Sequence, residues 1–219
     1  MSQTNLHPSS HSSKYLPIED YALIGDLHTV ALVGTNGSID WCCLPRFDSP
    51  SVFGALLDAD KAGFFRIAPS EMEQVKCRQI YLPETNILLT RFLSVDGVAE
   101  LTDFMPVKQV GTAPHHHQII RSITVVHGSL SFTLVCQPAF NYARDTHRVE
   151  LSEQGVSFQH ASFRLALVSP VPLKADEHGG VQATFTLHSG EAMHFLLEST
   201  EQDSQAPQAL SEEAYQTVF

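Results

Sequence analysis

The segment NGSIDWCCLPRFDSPSVF, residues 36–53, holds the single tryptophan of the chain, two adjacent cysteines, two prolines and an Arg-Phe-Asp triplet. An extended run through Trp41, Cys42, Cys43 and Leu44 enters Pro45, and Pro50 follows five residues later. Each proline fixes a backbone dihedral and restricts the residue before it. Arg46, Phe47, Asp48 and Ser49 are therefore held on a short stiffened loop, which lowers the entropy cost of presenting their side chains. A planar guanidinium beside a carboxylate has the geometry to bind hydroxyls. Arginine beside aromatic residues is also the usual composition of an interface anchor.

Other residues invite chemical readings and meet plainer ones. His115, His116 and His117 form a metal-like run, but successive residues of an extended segment alternate faces, so a solvated loop is the better reading. His28, between Leu27 and Thr29, reads as a hydrogen-bonded core histidine. Asp20 and Asp26 flank the run YALIG; a carboxylate pair is conceivable, yet turn and strand-end roles explain them more simply. FNYAR (140–144) has the composition of a carbohydrate platform or of a sandwich edge, and sequence leaves that choice open. The four cysteines show no zinc spacing and are read as reduced, with no cofactor or metal expected. Vicinal Cys42 and Cys43 cannot both point into one core.

These groups need elements to position them. The 219 residues are 43% apolar, enough for one large core or two modest ones, and nothing reaches the length of a membrane span. The start of the chain has neither a basic nor an apolar targeting region, so a soluble, cytoplasmic protein is expected. The net charge of −11 is concentrated beyond Lys174, where only acids occur, which argues against nucleic acid and anionic membranes as partners. Residues 1–14 read as a disordered arm. YALIGDLHTVALV and the following SIDWCC read as two extended segments joined across Thr35-Asn36-Gly37, a strong hairpin signal. Pro50 after Ser49, with Val52, Phe53, Leu56 and Leu57 on one face, predicts a short helix. From there onward short β-branched and aromatic runs predict about a dozen strands, with hairpins at Asp96-Gly97 and, more weakly, at His127-Gly128. The expected fold is mainly β, an antiparallel super-sandwich over 15–199 with one or two short helices. A polar linker follows at 200–210, then a helix start capped by Ser211 with Glu212 and Glu213 at its positive end.

The blocks PIEDYALIGDLHTVALVGTNGSIDWCCLPRFDSPSVFGALLDADKAGFFRIAP (17–69), YLPETNILLTRF (81–92), DGVAELTDFMPV (96–107) and IIRSITVVHGSLSFTLVCQPAFNYAR (119–144), followed by SEEAYQTVF, resemble the N-terminal domain of glycoside hydrolase family 15. The similarity is greatest to its bacterial glucoamylase and α,α-trehalase group and runs in family order over about 15–219. It implies a β-super-sandwich, a linker helix and then an (α/α)6 barrel holding the catalytic acid and base. Cys42 departs from the family, where a larger apolar residue is usual. An inverting glycosidase needs two carboxyl groups roughly 6.5–9.5 Å apart. In the family both lie on the barrel, so no catalytic residue is expected here and the fragment alone is expected to be inactive.

The expected partners are thus the C-terminal barrel and, in the full-length hydrolase, an α-glucoside such as trehalose or malto-oligosaccharides. Three readings of Trp41, Arg46, Phe47 and Asp48 remain open: aromatics packed inside with Arg46 paired to Asp40 or Asp48, a loop docked on the barrel, or a loop that reaches sugar. Two other functions compete with the supporting role. One is an autonomous carbohydrate-binding module; the other is a metal-dependent β-sandwich enzyme built on the three histidines.

Overall fold

The computed structural model describes residues 15–107, 117–161, 163–201, 213 and 215. The expected arm at 1–14, His115 and His116, most of the linker, and the Ser211 cap lie outside the described residues. Among the described residues, a 3₁₀ turn (Ile18–Asp20) is followed by fifteen strands: β1 (Tyr21–Gly25), β2 (Val30–Gly34), β3 (Ser38–Cys43), β4 (Ser51–Phe53), β5 (Phe64–Pro69), β6 (Lys76–Tyr81), β7 (Leu88–Leu93), β8 (Gly97–Phe104), β9 (His117–Gln137), β10 (Arg148–Ser152), β11 (Gly155–His160), β12 (Phe163–Val168), β13 (Lys174–Ala175), β14 (Val181–His188) and β15 (Ala192–Glu201). Every pairing is antiparallel, and the sandwich read from the strand pattern is the fold observed. Among the described residues no helix is long and apolar enough to cross a membrane.

Strand β9, 21 residues long, belongs to both layers. Its first half pairs with β8 and β15, giving the order β6-β7-β8-β9-β15-β12-β11-β10; its second half pairs with β5 and β14, giving β1-β2-β3-β5-β9-β14-β13. The hairpin expected at His127-Gly128 is not formed. Gly128 instead has φ +80, and a Cβ there would sit 2.0 Å from the Asp96 carbonyl, so this glycine lets one strand bend from one sheet to the other without reversing. The core fills the space between the layers, with Phe65, Ile67, Phe132 and Leu134 from one and Phe92, Leu101, Ile123 and Phe195 from the other. The rings of Phe132 and Phe185 stack at 5.6 Å.

The short helix expected after Pro50 is also absent. Residues 51–53 form β4, pairing Phe53 with Cys42 and Ser51 with Cys43, and Leu57 is 63% exposed. Burying Val52 and Phe53 against neighbouring strands outweighs the helical spacing of the apolar residues, since Leu57 has no face to cover. The extended reading of 21–33 is broken too: Asp26 to Thr29 turn the chain, making β1 and β2 a hairpin with Leu23 opposite Leu32. The free edge of β1 is covered by side chains, because the Tyr81 hydroxyl both accepts from Leu23 N–H and donates to Leu23 C=O at 2.8 Å, and the Asn86 amide donates to Gly25 C=O.

All four cysteines are free thiols. Cys42 and Cys136 are wholly buried in the core, and that burial pushes both thiols up from the ordinary value. Cys43 is buried as well, but a register shift after Cys42 takes it out of the main apolar cluster. At the outer face of the β8-β9-β15-β12 layer, Tyr215 covers Ile87, Phe104, Ile120, Val168 and Leu196, stacking on His194 at 4.1 Å. Tyr215→Ala is expected to destabilise the chain by about 2–4 kcal/mol in urea unfolding, as for other large truncations at buried sites.

Candidate functional site

The Arg46-Phe47-Asp48 loop is held from below. Ser49 N–H donates to Arg46 C=O at 3.0 Å, Arg46 N–H donates to Ser49 Oγ at 3.1 Å, and Phe47 N–H donates to His28 C=O at 3.2 Å. The Thr29 hydroxyl donates to Cys43 C=O. The loop therefore rests on the β1–β2 turn. In that turn Asp26 accepts the N–H groups of His28 and Thr29 at 3.0 Å each, and its other oxygen meets His117 Nδ1 at 2.5 Å. His28 is not the core histidine expected: it is exposed, stands edge-on to the His117 ring at 5.9 Å, and holds Asp26 C=O at 3.3 Å. Asp26 works as a turn residue, as expected. His117 is not on a solvated loop but begins β9, with 11% side-chain exposure.

Burial alone would raise the Asp26 pKa, but the hydrogen bonds from His117 and from the two backbone N–H groups outweigh it and hold the carboxyl below its ordinary value. The folded state thus favours the ionised form. Its stabilisation is complete above the unfolded carboxylate pKa of about 3.9 and is lost as pH falls through the lower folded value. Stability measured by urea unfolding is expected to decline on acidification below about pH 4, and Asp26→Asn is expected to flatten that slope.

The structure separates the roles of the residues singled out in the sequence. Phe47 is 59% exposed, and the Arg46 and Asp48 side chains, 70% and 74% exposed, pair at 3.2 Å. The first reading is thereby corrected in part: Phe47 fills no core, and Asp40 does not pair with Arg46 but accepts from the Tyr21 hydroxyl at 2.6 Å. The loop's stiff hydrogen-bonded base holds these three side chains outward. Trp41 is half-buried, with its ring centroid 6.4 Å from that of Tyr142 at a tilt of 43°.

Tyr142 belongs to FNYAR, whose backbone is unusual. Asn141, Tyr142 and Ala143 have φ of 51, 58 and 61, three successive non-glycine residues in the left-handed region. Each such residue costs on the order of 1 kcal/mol, and strain of this kind concentrates at functional sites. Ala139 N–H donating to Val52 C=O at 2.8 Å ties the turn to β4, and Phe140 is buried beneath it. Between this turn and the loop lies a concavity of about 280 Å³ lined by Leu44, Val52, Phe140 and Phe163, with Asn141, Asp145 and His160 at its rim. His160 stacks on Phe140 at 5.6 Å and meets Asp145 at 3.2 Å. Ser51 also lines it, and its fully buried Oγ has no hydrogen-bond partner among the described residues.

Sequence reasoning missed Asp145 and His160, which lie about a hundred residues from the loop with no local pattern joining them, and the Ser51 hydroxyl, which sits two positions beyond the loop but carries no signal of its own. It also weighed Asp26 and His117 separately, because nothing in the sequence links positions 91 residues apart. Among the described residues no group of three His, Cys, Asp or Glu is arranged to hold a metal ion.

The family model described as "Trehalase-like, N-terminal" matches residues 10–217. Among individual proteins, the trehalase of Thermoplasma volcanium is 35% identical over 73% of this chain and 26% of its own length. Trehalase 1 of Sulfolobus acidocaldarius is 41% identical over 72% of this chain and 26% of its own, and the trehalase of Mycolicibacterium smegmatis is 32% identical over 80% and 27%. The chain thus spans about a quarter of the length of the relatives it matches.

Proposed function

Because the chain belongs to the trehalase-like N-terminal domain family, we propose that it is a non-catalytic module that docks through the Arg46-Phe47-Asp48 loop and the neighbouring concavity onto a C-terminal (α/α)6 catalytic domain. The parent polypeptide is read as a family 15 glycoside hydrolase that inverts an α-glucoside. The names of the relatives favour trehalose over malto-oligosaccharides. The polar stretch beyond the end of β15 at Glu201, within the linker read at 200–210, serves as the connector in this reading, and Arg46, Phe47 and Asp48 meet the catalytic domain near its substrate entrance.

The observation that carries the docking role is a projecting, charged and aromatic loop beside a ready socket. Phe47 and Leu27, 59% and 81% exposed, form the apolar part of the projection. Ser51, whose hydroxyl has no partner among the described residues, and the strained Asn141 turn border the socket. Orphaned buried polar atoms and costly backbone geometry are explained when a partner completes them. Nearby carboxylates are already engaged, Asp26 with His117, Asp48 with Arg46 and Asp145 with His160, which suits support better than acid–base work. The tilted Trp41–Tyr142 pair gives no flat sugar platform, which speaks against the autonomous carbohydrate-binding alternative.

Incubation of the isolated chain with trehalose or maltose is expected to release no glucose. The same chain joined ahead of a family catalytic domain is expected to raise that domain's Tm and its trehalase activity. Glucose release by the chain alone, or no change in the joined protein, would overturn the proposal.

A further inference from the structure

A second concavity, of about 270 Å³, opens on the outer face of the β1-β2-β3-β5 layer, away from the docking loop. Strand alternation positions its polar groups. Ser38 and Asp40, two residues apart on β3, share a face; Leu32 faces Trp41 while Val33 faces Ile39, so a bulge at Asp40 lets both Ile39 and Cys42 point into the core on the other side. Ser38 lies directly opposite Arg66 of β5. Asp40, 9% exposed, accepts from the Tyr21 hydroxyl at 2.6 Å and from the Ser38 hydroxyl at 2.5 Å. Asn36, Phe64, Tyr15, Leu16, Ala55 and Ala59 complete the lining.

Arg66 is the anomaly. Its Nε is buried and has no hydrogen-bond partner among the described residues. A guanidinium is planar, permanently charged and made to donate in a fork, and leaving such a donor buried and unmade costs stability. Burial weighs against its charge and lowers its pKa, which the neighbouring Asp40 only partly offsets. Nothing in packing requires an arginine here, because the side chain lines a cavity and not the core. A free guanidinium donor therefore stands beside a carboxylate, with tyrosine and serine hydroxyls, an amide and an aromatic ring around one cavity.

We infer that this cavity is a binding site for a neutral polyhydroxylated ring of the size of a single hexose. The site offers paired donors and acceptors suited to vicinal hydroxyls. Opposite charges side by side disfavour a simple anion, because an acid filling the Arg66 fork would also face Asp40. The volume lies just below the roughly 300 Å³ at which drug-sized pockets begin, and so suits one ring. This inference does not rest on the docking role proposed above.

The test is titration of the chain with glucose, and separately with acetate and phosphate, followed by amide NMR and calorimetry. Glucose is expected to shift signals around Tyr21, Ser38, Asp40 and Arg66. Arg66→Met is expected to weaken binding about tenfold or more, the ~1.4 kcal/mol of one charge-assisted hydrogen bond, in a chain whose amide spectrum remains folded. Arg66→Lys, which keeps the charge beside Asp40 but not the fork, is expected to weaken binding too. The inference is overturned if glucose shifts no pocket signal, if acetate or phosphate occupies the pocket in its place, or if the folded Arg66→Met or Arg66→Lys variant binds glucose unchanged.

Discussion

Asp103→Ala is expected to destabilise the chain by about 3–5 kcal/mol, the cost of leaving one member of a buried ion pair alone. Asp103 and Arg121 are both 0% exposed. The Arg121 guanidinium donates to both carboxylate oxygens of Asp103, at 2.8 and 3.1 Å, to Phe65 C=O at 2.6 Å and to Gly37 C=O at 2.8 Å, and lies 4.8 Å above the Phe65 ring. These partners come from β8, from β5 and from the turn between β2 and β3, so a single side chain fastens the two layers across the core. Removing the carboxylate strips the charge of its counterion with no water to replace it. The double variant Asp103→Leu with Arg121→Met is expected to recover most of the loss, since Gly37 C=O still accepts from Ile67 N–H at 3.1 Å. Urea unfolding of the single and double variants checks both; a loss below about 1 kcal/mol for Asp103→Ala would show that the pair contributes no more than a surface one.

Phe47→Ala is expected to leave the Tm of the isolated chain unchanged, because the ring is 59% exposed and its removal opens no cavity. Affinity for a family catalytic domain supplied as a separate polypeptide is expected to fall by about 2 kcal/mol, roughly 30-fold, as for an aromatic interface anchor. Arg46→Ala is expected to fall by less, since the surface pair with Asp48 at 3.2 Å already satisfies part of the guanidinium. Calorimetric titration reads the affinities. Equal binding by wild type and Phe47→Ala would remove the loop from the interface.

Much of the architecture was legible in the sequence because strand burial writes itself as alternation. VQATFTLH, with every second residue buried, is β14, and the Asn-Gly and Asp-Gly turns lie where the hairpins close. What failed had a physical cause. The apolar spacing of 50–57 fits a helix as well as a short strand followed by a turn, and only the presence of β3 alongside decides. His127-Gly128 carries the residue type of a hairpin, but the glycine serves a bend. The stiff loop of Arg46, Phe47 and Asp48 was legible from its two prolines. The left-handed Asn141-Tyr142-Ala143 run was not, because it contains no glycine, and Arg66 gave no sign because an arginine in a strand usually finds a partner.

The long strand β9 has a consequence for how the molecule comes apart. Since its two halves are hydrogen-bonded into different layers, neither layer keeps its central strand if the other is lost. Heat, denaturant or a pull on either end meets a structure with no seam, and hydrogen exchange in the middle of both layers should report one common opening. A module yoked in this way transmits force as one solid piece.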